Sequence, residues 1–268
     1  MNPATVRNRL LLSLAALALI LHLVLTGWAL VQPAASSWIG ATQTPLLLLF
    51  GLIHAAYLLG WRQALAFFVL SAGISWGFEQ VGVATGWIYG GYHYSERLQP
   101  KLGYVPLVIP VGWFMMMYPS YVIANLVGEG RPTVSRLGLG RVAGLSLLGG
   151  MAMTAWDLAI DPILVGHGMW VWEEGGAYFG VPVQNFAGWL VTTFTIYLIY
   201  RLWEGRAGLR PLGPVTRAIA WMPLLAYASQ MVRTFGRPEL GVIAFFAMGF
   251  PLLAGSYRLL AWPSPDQT

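Results

Sequence analysis

Ten acidic residues in a chain of 268 are few enough to weigh one at a time. Glu129 and Glu204 fall in Arg-rich stretches that read as solvated loops. Glu96 and Glu239 sit in loops beside Arg97 and Arg237, and Asp266 lies in the tail. Glu173 and Glu174 belong to an aromatic, turn-rich stretch. The other three, Glu79, Asp157 and Asp161, stand within or at the end of apolar segments, where an ionisable side chain needs a partner, a cavity or a function. Asp157 and Asp161 are spaced i, i+4, which puts both carboxyl groups on one helix face. Two like charges in a low dielectric resist double ionisation. Pro162 biases Asp161 out of helical geometry and predicts that the helix ends there. The C-terminal end of a helix dipole also disfavours an anion. These effects together predict a carboxylic acid that keeps its proton at neutral pH, which general acid catalysis requires. The competing structural roles are an Arg partner for Asp157, a turn role for Asp161, and an ion pair of Glu79 with Arg233.

The elements that must hold these acids are membrane spans. Hydrophobic residues make up 57% of the chain and charged residues only 9%, against about a quarter in soluble domains. That excludes a water-soluble enzyme of ordinary build. It also excludes a nucleic-acid binder, because the +5 net charge is not gathered into a patch. A bilayer crossing needs about 20 mostly apolar residues. Eight segments meet this to varying degrees, roughly 10–31, 44–60, 63–83, 104–127, 140–161, 185–203, 216–233 and 240–261. The expected fold is an all-α polytopic membrane bundle of about eight helices, in one domain over 1–268. The first segment is longer than a signal-peptide core and reads as a retained helix. The second is the weakest, with His54 at its middle. With the N-terminus inside, the inner loops hold eleven Lys and Arg residues and the outer loops four, Arg97, Lys101, Arg233 and Arg237. Both termini are then expected to be cytoplasmic, with Glu79, Asp157 and Asp161 toward the outer side.

Two aromatic stretches fall at the same level. One follows Glu79 and runs Gly86-Trp87-Ile88-Tyr89-Gly90-Gly91-Tyr92-His93-Tyr94. The other lies between the fifth and sixth spans and contains Tyr178, Phe179, Gln184 and Asn185. An interfacial aromatic belt accounts for many such rings. A functional reading makes them the mouth of an apolar cavity. Zero Cys excludes thiolate metal sites and cysteine nucleophiles. The four His are scattered without i, i+3 or i, i+4 pairing, which argues against a di-iron oxygenase. Gly138-Leu139-Gly140-Arg141-Val142-Ala143 matches a permissive dinucleotide fingerprint but opens a span rather than following a strand.

Thr154-Ala155-Trp156-Asp157-Leu158-Ala159-Ile160-Asp161-Pro162 and Gly176-Ala177-Tyr178-Phe179-Gly180-Val181-Pro182-Val183-Gln184-Asn185-Phe186-Ala187-Gly188-Trp189 resemble the carotenoid biosynthesis membrane-protein family. So does the Glu79 segment with Thr85-Gly86-Trp87-Ile88-Tyr89-Gly90 and Tyr92-His93-Tyr94. The resemblance spans about residues 45–260. It implies a cofactor-independent carotenoid 1',2'-hydratase, of the kind that includes bacterioruberin-pathway hydratases, acting on an acyclic carotenoid taken from the lipid phase. No cofactor or metal is expected. Such chemistry needs a buried acid, a dry pocket, aromatic faces for a carbocation and one positioned water. The expected catalytic residues are Asp157, Asp161 and Glu79. Trp76, Trp87, Tyr89, Tyr92, Trp156, Tyr178 and Phe179 are expected to line the substrate, with Gln184 and Asn185 orienting the water. Helix capping at the start of the sixth span is the alternative role for both Gln184 and Asn185. The competing functions are another carotenoid end-group enzyme (isomerase, cyclase or prenyl-adding) and a non-catalytic carotenoid binder or transporter.

Overall fold

The computed structural model describes residues 3–32, 36–134, 136–234 and 236–262, so Asp266 lies outside the described residues. Eight helices follow one another: α1 (Pro3–Val31), α2 (Ser36–Leu59), α3 (Trp61–Thr85), α4 (Val108–Glu129), α5 (Leu139–Gly166), α6 (Val183–Ala207), α7 (Arg217–Val232) and α8 (Pro238–Leu260). Each coincides with one of the eight apolar segments. Five of them, α1, α2, α3, α5 and α8, are by themselves long and apolar enough to cross a membrane. The fold is an all-α membrane bundle.

α4 is the axis of the bundle, packing on α2, α3, α5, α7 and α8. Its run Trp113–Leu126 is buried throughout, with Phe114, Tyr118 and Tyr121 fully enclosed. α1 pairs with α2 at the periphery and leaves a wide apolar face exposed, including Leu10, Leu17, Ile20 and Val24. Such a face is expected where the solvent is lipid. α5 and α6 form the tightest of the long pairs around the site. Gly149 and Gly150 permit it: a Cβ on Gly149 would lie 2.9 Å from Tyr197 Cε2, and one on Gly150 3.0 Å from Thr193 Oγ1. Small residues at a membrane helix interface allow such close backbone approach.

Prolines inside the helices explain two buried hydrogen bonds. Pro162 does not end α5, as its position predicts; the helix runs four residues further, to Gly166. Proline has no N–H for the carbonyl one turn back. Here the Tyr178 hydroxyl donates to that carbonyl, Leu158 O, at 2.8 Å. In α7, Pro223 frees the carbonyl of Ile219, and His54 takes it: Nε2 lies 3.0 Å from Ile219 O while Nδ1 accepts from Tyr118 at 2.6 Å. The histidine that weakens the second apolar segment is therefore a cross-link between α2, α4 and α7.

Two further expectations are corrected. Glu204 is not in a solvated loop; α6 continues to Ala207, and Glu204 is buried against the Tyr121 and Tyr200 hydroxyls at 2.8 and 2.9 Å. Glu129 closes α4 half-buried and pairs with Arg141 at 3.3 Å.

Short strands join the helices at one end. β1 (Tyr92–Tyr94) pairs antiparallel with β4 (Trp170–Trp172), in the register Tyr92 to Trp172 and Tyr94 to Trp170. β2 (Lys101–Leu102) pairs with β3 (Val105–Pro106). Alternation along β1 turns Tyr92 and Tyr94 inward and His93 out to Glu173, 2.6 Å away at the surface.

Candidate active site

At the strand-bearing end, α3, α4, α5 and α6 bring three carboxyl groups beneath the β1–β4 ribbon. Glu79, on α3, is buried and accepts three hydrogen bonds. Oε2 takes the hydroxyls of Tyr92 and Tyr94, the latter at 2.7 Å, and Oε1 takes the indole N–H of Trp113 at 3.2 Å. Every partner is a donor. Burial first, then the Glu79 charge, holds the Tyr92 and Tyr94 phenols well above their ordinary pKa, so both keep their protons. Arg233 is not a partner of Glu79; its guanidinium donates to Gln230 Oε1 at 3.5 Å.

Asp157 and Asp161 lie on one face of α5, as their spacing predicts. One amide bridges them: Asn185 Nδ2 donates to Asp157 Oδ2 at 3.1 Å and to Asp161 Oδ2 at 2.7 Å. Asn185 therefore does not cap α6, whose N-cap is Pro182. The two aspartates are less well supplied with donors than Glu79, and Asp157 Oδ1 has no hydrogen-bond partner.

A cavity of about 1090 Å³ opens onto this group. That is at the upper end of the ordinary range of roughly 300–1,000 Å³ for small-molecule sites. Glu79, Asp161 and Asn185 line it, whereas Asp157 is fully buried behind Asp161 and is not part of its wall. Of the aromatic residues singled out from the sequence, Tyr89, Tyr92 and Trp156 reach the cavity. Trp76 instead donates to Leu102 O at 3.1 Å, Trp87 is 80% exposed, Phe179 faces outward, and Tyr178 is occupied with Leu158. Burial pushes the Tyr178 phenol up to about 12. Gln184 binds the carbonyls of Gly86 and Trp87 outside the cavity.

The aromatic wall also includes rings that the sequence did not single out. Trp113 of α4 stacks on Trp189 of α6 at 4.1 Å and 13°, and Trp156 meets Trp189 edge-on at 5.9 Å. Tyr94 and Trp172 close the wall from the strands. Trp113 carried no local signal, being an aromatic residue in an apolar span, and Trp189 stood only at the end of the family-like stretch. Tyr94 did carry one: the Tyr-x-Tyr alternation of a strand.

Tyr89 is clamped between two glycines. A Cβ on Gly82 would lie 2.5 Å from its ring, and one on Gly188 would lie 2.6 Å from it. Its hydroxyl bonds Thr192 Oγ1 at 2.8 Å. From the acids the cavity runs past the α4 residues Val108, Val111 and Met115 to Leu30 and Leu48 of the α1–α2 hairpin, the element that carries the exposed apolar face. One region is thus acidic and aromatic; the other, near the lipid-facing surface, is mixed, with Leu30 and Leu48 beside Thr26, Gln43, Thr44 and Arg233.

Among the described residues, no cluster of three or more His, Asp and Glu side chains has a metal-binding arrangement. The arrangement places two carboxyl groups, Asp161 and Glu79, on the wall of a cavity that is also lined by aromatic rings.

Comparison with known proteins gives two matches. The profile of a family described as carotenoid biosynthesis protein matches residues 43–250. A bisanhydrobacterioruberin hydratase of Haloarcula japonica is 37% identical over 150 residues, which is 56% of this chain and 48% of that protein. The match thus spans about half the length of this curated relative. No solved structure matches the chain.

Proposed function

The chain belongs to the carotenoid biosynthesis protein family, and from that premise we propose that it adds water to the terminal isopropylidene double bond of an acyclic carotenoid. The observation that carries the reading is the gathering of three buried carboxyl groups, two of them on the wall of one aromatic-lined cavity. The relative's name, a hydratase of a carotenoid, agrees with it.

Asp161 faces the cavity and belongs to a pair that has one amide donor between its two carboxyls. A proton held in this pair supplies the charge balance that donors do not. It goes to the less substituted alkene carbon, where a C–H bond forms from the π electrons and a tertiary cation is left next to it. The faces of Trp113, Trp156 and Trp189 stabilise that cation. Glu79 accepts three hydrogen bonds and offers none, which suits it to receive the proton that the attacking water sheds. The C–O bond forms, the product is a tertiary alcohol, and the proton returns to the aspartate pair through cavity water. No redox partner is needed, because one alkene and one water give one alcohol.

The polyene enters from the bilayer past the α1–α2 hairpin, with its end group against the acids. On the distribution of Lys and Arg, this end of the bundle faces outward and both termini lie in the cytoplasm. The experiment is to express the protein in cells that accumulate lycopene and to analyse the pigments. Hydroxylated lycopene supports the reading. Unchanged lycopene in cells with abundant membrane-inserted protein favours a binder, and a cyclised or prenylated product favours another end-group enzyme.

A further inference from the structure

At the opposite end of the bundle, α6 carries a buried cation without a hydrogen-bond partner. Arg201 is 3% exposed, and its Nε, Nη1 and Nη2 atoms all lack a hydrogen-bond partner. Its guanidinium lies over the Tyr121 ring, 4.4 Å from the centroid. That contact satisfies one face of the group but none of its five N–H donors. The nearby Glu204 interacts with Arg201 through its charge but supplies no hydrogen-bond acceptor. Its carboxylate takes the Tyr121 and Tyr200 hydroxyls, and no ion pair joins it to Arg201 among the described residues. A buried guanidinium left in this state is costly, and such groups occur where an anion completes them.

Arg201 opens onto a cavity of about 330 Å³ between the α4–α5 loop and the end of α6. Arg136 and Arg206 also line it, both exposed, so three arginines and the tyrosine-bound Glu204 line the space, with the Arg201 guanidinium buried at its edge. Planar guanidinium forks match the oxygens of phosphate. We propose that this cavity binds a phosphate-type oxyanion: a lipid phosphodiester headgroup at the membrane surface, or a free phosphate group. This proposal does not depend on the carotenoid chemistry, which occupies the other end of α5 and α6.

The test uses the full chain in detergent and follows its thermal unfolding midpoint. Three probes are added at matched ionic strength: phosphatidylglycerol, phosphatidylcholine and inorganic phosphate. The variants are Arg201→Gln and the double variant Arg136→Gln/Arg206→Gln. The double variant keeps the core intact because both side chains are exposed, so it remains informative if Arg201→Gln does not fold. A midpoint that rises with phosphatidylglycerol well above phosphatidylcholine, and not with phosphate, assigns a lipid headgroup. A rise with inorganic phosphate assigns a free phosphate. In either case the double variant requires about tenfold or more ligand for the same shift. Wild-type protein whose midpoint answers none of the probes, or a double variant that answers as wild type does, overturns the proposal.

Discussion

Asp161→Asn separates a chemical role from a structural one more cleanly than any other single substitution in this site. The replacement is isosteric, so it opens no void in α5. An asparagine oxygen at this position still accepts the Asn185 amide that reaches Asp161 at 2.7 Å. What disappears is the acidic proton. Loss of a positioned general acid costs about 10²–10⁴ in rate, or about 3–5 kcal/mol of transition-state stabilisation. Asp157→Asn provides the internal comparison. Asp157 is fully buried behind Asp161 and outside the cavity wall, and Asn185 reaches it at 3.1 Å. It acts through its neighbour, and its removal should cost about tenfold, the order of one hydrogen bond to a charged group. The assay is initial rate in membranes supplied with an acyclic carotenoid, with product resolved by chromatography and rates normalised to folded protein. Asp161→Asn within tenfold of wild type, or a larger loss for Asp157→Asn than for Asp161→Asn, would refute the assignment of Asp161 as the donor.

Glu79→Gln should lower turnover by about 10²-fold or more, since an amide cannot take the water's proton. Tyr94→Phe removes one of the three donors to Glu79 and should lower the rate by about tenfold; equal rates for both variants and wild type would exclude Glu79 as the base. Tyr178→Phe leaves the Leu158 carbonyl with neither the hydroxyl nor a proline N–H and should destabilise by about 1–3 kcal/mol. Adding Pro162→Ala to that variant restores a backbone donor and should recover most of the loss, read as the unfolding midpoint. Treating membranes with EDTA should leave turnover unchanged, because the proposed steps use no metal.

The spans were legible in the sequence because lipid imposes a length and an apolar composition that few other environments demand. The i, i+4 spacing of Asp157 and Asp161 was enough to place both on one face of α5, and it does so in the structure. The limit of α5 was not legible. Pro162 marks a missing N–H, and only the fold shows that Tyr178, 16 residues downstream, supplies the donor in its place. Glu204 was misplaced for a related reason. Arg201 and Arg206 flank it and read as a solvated loop, whereas two tyrosines from α4 and α6 supply its hydrogen bonds inside the bundle. The aromatic wall divided along the same line. Tyr89 and Tyr92 lie in a stretch rich in turn residues, and Trp156 adjoins Asp157, so these three stood out. Trp113 and Trp189 lie in spans, where nothing in a one-dimensional pattern separates a cavity ring from a packing ring.

The central claim is that water adds to a carotenoid end by proton transfer. Its most direct measurement is the mass of the pigment formed from lycopene by membranes containing this protein in water enriched in ¹⁸O. The account predicts a product heavier by one water for each treated end, with the label in the new hydroxyl. A pigment of unchanged mass, or a hydroxyl whose oxygen comes from dissolved oxygen gas, would contradict it.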